Sequence, residues 1–429
     1  MRIHLLGIGG ARQSAFAEVL LARGWEVSGC DVNDTSVTDA LRARGAAVSI
    51  GHDPAHVIGQ DLLVHITRIG PAAEPERQAA LAAGVRVLNG PQLLSELIDA
   101  SRAVGVAGTH GKTTITAMIG HILDGVGMSP TVLVGDGSSS RAHPGDLLVT
   151  ELDESDTTLP LHHPDVAVVT NVEFDHEDYF PDLEAVRRTF TDFLAGLPAS
   201  SLAVTCADDP WLRTTSFGAR RQTYGFAEDA EWRCLSGGEV ISAGEEVARL
   251  RLAVPGRHSL QNATAALAAV ADLDVAPERA AAALRTFTGA KRRMERLGEW
   301  RGAAIYDDYG HHPTELRVTL DAARELKPRR LLLVFQPHRY SRLLHLRDQF
   351  APALAGADLA LVTEVYSAGE PNPGGVTAAS LAEDAGCDFA PDLGAAREWL
   401  EREVREGDLV LLMGAGDIRR LGDELAQPV

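Results

Sequence analysis

One segment constrains this 429-residue chain more than any other: an apolar run at 103–107 that passes into Gly108-Thr109-His110-Gly111-Lys112-Thr113-Thr114 and then into a helical stretch reaching about Gly125. A strand feeding a glycine loop and then a helix aims backbone N–H groups and the positive end of the helix dipole at one point, which makes a cradle for a phosphate. In such a cradle Lys112 reaches β- and γ-phosphates and the Thr113 hydroxyl faces Mg²⁺. The longer common spacing would need glycine at 106, where Val106 stands, so the shorter GTxGKT form applies. A loop of this kind belongs to a layered α/β architecture.

The flanking sequence has the same pattern. Strands are predicted at 3–6, 27–30, 47–50, 61–66 and 85–88, with an Ala-rich helix at 14–23, and the alternation argues a parallel sheet covered by helices. Further strands follow at 147–150 and 166–170, with a helix at 261–271. A linker at 288–293 leads to strands near 304–306, 331–335, 359–362 and 409–413. The chain length suits two to three cores, and the pattern divides it into three α/β domains at 1–98, 99–287 and 288–429. The net charge of −20 sets the chain as a whole against nucleic acid and anionic membrane, so any polyanion must meet a local basic pocket. Cys30, Cys206, Cys234 and Cys387 form no CxxC pair and read as buried thiols in a reducing compartment. No apolar run reaches membrane-spanning length and the start is too Gly-rich for a signal peptide, so the expected location is cytoplasmic.

Magnesium takes hard oxygen ligands. Glu151-Leu152-Asp153-Glu154-Ser155-Asp156 follows a predicted strand directly, which makes Glu151 the first candidate, although such a run taken alone is more often a solvated loop. The next strand ends in Thr170-Asn171-Val172-Glu173-Phe174-Asp175-His176, at the edge where α/β sheets place ligands; His176 can bind a metal or position a phosphate there. In the third domain Asp307-Asp308-Tyr309-Gly310-His311-His312-Pro313 closes one strand. Gln336-Pro337-His338-Arg339-Tyr340-Ser341-Arg342 closes another, with two arginines and a histidine suited to a carboxylate or phosphate. Two such rims in one domain argue for a substrate-facing edge, which a ligase with a separate amine substrate needs and a simple ATPase does not.

Taken together, these residues resemble the Mur ligases of peptidoglycan synthesis along nearly the whole chain. The resemblance rests on AGTHGKTT at 107–114, ELDESD at 151–156, TNVEFDH at 170–176, GRHSLQNATAA at 256–266, DDYGHHPTE at 307–315, FQPHRYSR at 335–342 and MGAGDI at 413–418. The two third-domain motifs point to the alanine-adding branch rather than to the related murein peptide ligases. The resemblance implies a Rossmann-like N-terminal UDP-substrate domain, a P-loop ATPase central domain and a Rossmann-like C-terminal domain that closes over the nucleotide. It implies an ATP- and Mg²⁺-dependent ligase, monomer or homodimer, that joins L-alanine to the carboxylate of UDP-N-acetylmuramate through an acyl phosphate. Its implied partners are these small molecules, with no nucleic acid and no membrane.

Carried over by residue, Gly108 to Thr114 hold the nucleotide phosphates, and Thr113, Glu151 and His176 ligate the metal. His258, Asn262, Arg292, Arg293 and Asp308 contact the rest of ATP. Gly9, Gly10, Ser14 and Asp31 bind the sugar nucleotide. His338, Arg339 and Arg342 line the amino-acid side, and Lys112, His176, His311, Arg339 and Arg342 carry the chemistry.

The departures lie in the first domain. The family opens GIGGxGMS; here Arg12 takes the place of the last loop glycine, where it either blocks the usual substrate or pairs with a phosphate, and Gln13 replaces Met. The segments 65–69 and 134–140 are also altered. A paralogue acting on another carboxylate, or one that binds ATP without catalysis, is therefore kept beside the main reading, though Lys112, Glu151 and His176 speak against the second. A dehydrogenase, suggested by Gly7, Gly9 and Asp31, lacks the glycine at 12 that its fingerprint needs.

Overall fold

The structure, a computed structural model, describes residues 1–67, 69–135, 140–177 and 179–426. Arg68 and residues 136–139, parts of the two altered segments, lie outside the described residues. The chain forms two compact units: residues 1–173, 184–250 and 262–284 make the first, and residues 174–183, 251–261 and 285–429 the second.

The first unit holds two sheets. One contains β1 (Arg2–Leu6), β2 (Glu26–Asp31), β3 (Ala47–Ile50), β4 (Leu62–His65) and β5 (Arg86–Asn89) in the order β3-β2-β1-β4-β5, all parallel. Strand order reverses between β1 and β4, the switch point where such sheets bind ligands. There β1 runs into Gly7 to Gly10 and the helix Ala11–Ala22. This helix starts three residues earlier than the sequence pattern predicted: Ala11, Arg12 and Gln13 are all good helix formers, and extended Gly10 (φ −70°, ψ 150°) is its N-cap.

The second sheet has nine strands: β6 (Arg102–Ala107), β7 (Thr131–Leu133), β8 (Leu147–Glu151), β9 (Val166–Val169), β10 (Leu202–Cys206), β11 (Arg220–Gly225), β12 (Trp232–Cys234), β13 (Glu239–Ser242) and β14 (Glu245–Arg249). Their order is β14-β13-β12-β11-β10-β9-β6-β8-β7. The phosphate-loop strand β6 is thus interior, between β9 and β8, and its loop leads into the helix Lys112–Gly125. The sequence reading missed the antiparallel edge β12 to β14. These strands are short and carry charged residues, as solvent-facing edges do, and β13 and β14 join through Ala243 and Gly244, both at positive φ as a two-residue hairpin requires.

The third sheet belongs to the second unit. Its strands are β15 (Glu295–Trp300), β16 (Ala303–Asp308), β17 (Leu331–Phe335), β18 (Leu359–Thr363), β19 (Asp388–Ala390) and β20 (Leu409–Met413), in the order β15-β16-β20-β17-β18-β19. Only the pairing of β15 with β16 is antiparallel. Strands β17 and β20, LLLVF and LVLLM, are buried throughout, so they show no apolar–polar alternation. Each side chain so buried contributes about 1.5–3 kcal/mol. Among the described residues no helix is long and apolar enough to cross a membrane.

Candidate active site

The phosphate loop is shaped by its own glycines and by the end of β9. Gly108 (φ 129°) and Gly111 (φ 86°) adopt backbone conformations that L side chains rarely reach, and a Cβ on Gly108 would collide with Thr170. The Thr109 N–H donates to Asn171 O and the His110 N–H to Asn171 Oδ1, both at 2.9 Å, while Thr170 Oγ1 donates to His110 O at 2.7 Å. Glu173 N donates to Thr109 Oγ1 at 2.9 Å. A Cβ on Gly111 would stand 3.1 Å from Asn262 Oδ1, so Asn262 abuts the start of the helix that carries Lys112, Thr113 and Thr114.

Two carboxylates, Glu151 at the end of β8 and Glu154 in the turn after it, then divide the polar side chains of this helix. Thr113 Oγ1 donates to Glu151 Oε2 at 3.1 Å, and the Gly135 N–H donates to the same oxygen at 3.1 Å. Lys112 Nζ donates to Gly108 O (2.6 Å), to Thr109 O (3.3 Å) and to both oxygens of Glu154 (2.9 and 3.1 Å). The two charged side chains are 11% and 2% exposed. Burial works against the Lys112 charge, but Glu154, Asp153 and Glu151 outweigh it and hold the ammonium above the ordinary lysine range.

Arg12, the departure in the first domain, has a partner. Its Nη2 donates to Asp153 Oδ2 at 3.3 Å, with each side chain about a third exposed. Burial alone would raise the Asp153 carboxyl; Arg12 and then Lys112 bring it down to about 2. Arg12 sits in the first turn of a helix, where no glycine is required. The rest of the loop keeps its form: Gly9 N donates to Asp31 Oδ2 at 3.0 Å, Gly10 N to Gly7 O at 2.9 Å, and Ser14 Oγ to Ala11 O at 3.0 Å.

In the second unit a buried pair organises the remaining candidates. Arg342 donates to Asp175 Oδ1 through Nε (3.0 Å) and Nη2 (2.5 Å), and both side chains are almost fully buried. Burial would raise Asp175, yet Arg342 first, then His176, His311 and His312, hold it well below the carboxylate range. Arg342 Nη1 also donates to His338 O at 3.2 Å and approaches His338 Nδ1 at 3.3 Å. The His311 and His338 rings lie 5.4 Å apart. Burial, then Arg342, pushes His311 down to about 3 and His338 to about 4, so both rings are neutral at pH 7. Arg342 therefore faces Asp175, while Arg339 caps the helix Tyr340–Leu354 with φ 67° and ψ 140°. His176 (φ 60°) and Arg292 (φ 55°) share this left-handed strain, which persists where surrounding structure enforces it and often marks functional positions.

The expected nucleotide contacts are braced by acids. Asp308 accepts from Met294 N and Gly310 N, both at 2.8 Å, and burial raises its carboxyl to about 6. Arg292 donates to Asp307 Oδ2 (3.1 Å) and Gly414 O (2.8 Å) and lies over the Tyr309 ring, while Arg293 donates to Glu315 at 3.2 Å. Burial, then Arg293, lowers His258 to about 4.

Sequence reasoning missed Glu154 and Asp175 as ion-pair partners, and Thr170 and Asn171 as the mould of the loop. All four stand inside quoted motifs. Adjacency to Glu151 and His176 was the available signal, but only the fold shows which acid meets which cation.

Comparisons with known proteins cover the same three regions. Residues 2–102 match the Mur ligase family, catalytic domain; residues 106–270 the Mur ligase middle domain; and residues 292–416 the Mur ligase, glutamate ligase domain. The UDP-N-acetylmuramate–L-alanine ligase of Salinibacter ruber is 39% identical over 99% of this chain and 94% of its own. The protein of that name from Rubrobacter xylanophilus is 41% identical over 99% of both. The crystal structure of UDP-N-acetylmuramate-alanine ligase from Thermotoga maritima superposes with a TM-score of 0.78 at 27% identity, covering 99% of this chain and 98% of that one.

Proposed function

Because this chain belongs to the Mur ligase family, we propose that it is an ATP-dependent ligase joining L-alanine to the carboxylate of UDP-N-acetylmuramate. The observation that carries the reading is the phosphate loop: a glycine-shaped cradle with Lys112 at its lip and the Thr113 hydroxyl against Glu151. The partition at 1–98, 99–287 and 288–429 and a cytoplasmic setting belong to the same reading, with monomer or homodimer as its oligomeric expectation.

The chemistry needs two steps. A carboxylate is a poor electrophile, so the acceptor's carboxylate oxygen takes the γ-phosphoryl group, with ADP as leaving group, to give an acyl phosphate. The amine of alanine attacks that carbonyl, loses a proton, and the amide forms as inorganic phosphate leaves. The backbone N–H groups at the start of the Lys112–Gly125 helix orient the phosphates, and Lys112, exchanging Glu154 and the loop carbonyls for phosphate oxygens, stabilises the charge that develops on them.

The donor set fits Mg²⁺, since a hydroxyl and a carboxylate side by side are hard oxygens of the kind and number that ion takes from protein when phosphate and water complete its shell. Thr113 and Glu151 would hold it, and bound there it supplies positive charge to the phosphate oxygens. Gly9, Gly10, Ser14 and Asp31 are the proposed sugar-nucleotide loop. Arg339, with neutral His311 and His338, is the proposed amino-acid side. A neutral imidazole there has a nitrogen lone pair that can accept a hydrogen bond from the amine, which an imidazolium cannot.

The test incubates full-length protein with ATP, Mg²⁺, UDP-N-acetylmuramate and L-alanine, serine or glycine, following phosphate release and product mass. Phosphate that requires both the sugar nucleotide and L-alanine, with a product equal to their sum less water, is expected; turnover indifferent to the sugar nucleotide sinks the reading. One observation favours a second reading, ligation of another carboxylate: the cationic Arg12 at the sugar-nucleotide loop. The same assay run with other carboxylates separates the two.

A further inference from the structure

We propose that the N-terminal sheet carries a second metal site, for a divalent transition ion of the Zn²⁺ class, built by His4, Cys30, His56 and Glu76. The site goes beyond the ligase reading and does not depend on it.

These residues come from four separate elements: β1, β2, the turn Pro54–Val57 and the helix Glu74–Ala82. One potential ligand atom from each lies within 4.8 Å of all the others. Ligand atoms around a tetrahedral Zn²⁺ stand roughly 3.3–3.8 Å apart, given bonds of about 2.0–2.3 Å, so small side-chain shifts close the shell. Glu76 is fully buried; His56 Nδ1 lies 2.6 Å from its Oε1, and the Cys30 thiol donates to its Oε2 at 3.2 Å. His52 Nδ1 contacts both Cys30 Sγ (3.3 Å) and Glu76 Oε2 (3.1 Å) and orients them from the side.

His4 supplies the independent observation. Ser28 Oγ donates its single proton to Ile3 O, so at 2.9 Å it must accept from His4 Nδ1–H. The tautomer is therefore set, and Nε2, buried and without a hydrogen-bond partner, keeps a lone pair. A partnerless buried nitrogen beside a buried thiol, imidazole and carboxylate is costly in a plain hydrogen-bond network and is explained by an ion.

Charge agrees. A divalent ion held by a thiolate, a carboxylate and two neutral imidazoles leaves the buried site neutral, with the Cys30 proton released to solvent. His56, 22% exposed, offers the entry path. The site also touches the substrate loop, because Gly7 N and Ile8 N donate to Cys30 O at 2.8 and 3.1 Å.

The test titrates chelator-stripped full-length protein with Co²⁺ in excess Mg²⁺, which occupies hard-oxygen sites, and then adds Zn²⁺. One equivalent of Co²⁺ should bring up a thiolate-to-cobalt charge-transfer band that Zn²⁺ abolishes, with a proton released. Cys30→Ser should lose the band, and His4→Gln should bind Co²⁺ about ten-fold more weakly or worse. No band at saturating Co²⁺, or a band that survives in Cys30→Ser, overturns the site. Should Cys30→Ser fail to fold, His4→Gln decides, and unchanged affinity there overturns it equally.

Discussion

Each unit buries one ion pair beside its candidate chemistry, and the two pairs are built differently. Lys112 meets Glu154 as a compact charge on a flexible stem, sharing its protons among four oxygens, two of them loop carbonyls. Arg342 meets Asp175 as a planar fork, with Nε and Nη2 on a single oxygen and Nη1 on His338 O. An ammonium can change partners when a phosphate arrives, whereas a guanidinium so placed is a strut. The difference extends to failure. If Lys112 is lost, Glu154 can neutralise itself by taking a proton; if Asp175 is lost, Arg342 cannot shed one.

The largest expected effect follows from that asymmetry. Asp175→Ala strands a buried guanidinium and should destabilise the protein by about 3–5 kcal/mol in chemical denaturation, clearly more than Lys112→Ala does. If the two variants are equally stable, the contrast between strut and exchangeable partner is gone.

Activity should invert the order. Lys112→Ala is expected to lower the rate of ATP-dependent phosphate release by about 100-fold or more, since it removes the positive charge at the developing phosphate oxygens. A variant turning over within a few-fold of wild type would show that Lys112 serves Glu154 alone.

Acid should act on the second unit through its neutral imidazoles. Folded His311 and His338 titrate near 3 and 4, against about 6.5 for an unfolded histidine. Between pH 6.5 and 4 the unfolded chain takes up protons that these rings refuse, so stability falls as pH drops through that window. Lys112 has the opposite sign: its folded value is raised, so its contribution is lost only as pH climbs past the ordinary lysine range. Denaturant midpoints measured from pH 7 to 4.5 should show a shallower decline in His311→Gln, and an unchanged slope would remove His311 from this account.

The smallest effect is expected at Arg12. A pair a third exposed on each side is worth under about 1 kcal/mol, so a double-mutant cycle of Arg12→Ala and Asp153→Ala should return a coupling below that. A larger coupling would make Arg12–Asp153 a third structural pair and the altered loop a designed contact.

The sequence by itself determined the parts that are contiguous. Strand, loop, Lys112 and helix follow one another without a gap, glycines at 108 and 111 fall where side chains cannot fit, and Glu151 ends the strand beside β6, so local propensity and periodicity suffice to place them. Edge strands β12 to β14 escaped because their alternation is short and their hairpin turn, Ala243-Gly244, lacks the usual Asn or Asp. Only the tertiary structure decided which distant groups meet. Arg342 reaches Asp175 across 167 residues, and His4 comes near Cys30, His56 and Glu76 because parallel register sets His4 against Ser28 and Leu6 against Cys30. Such meetings are fixed by how strands pair and which faces are covered, and no short window of sequence contains that information.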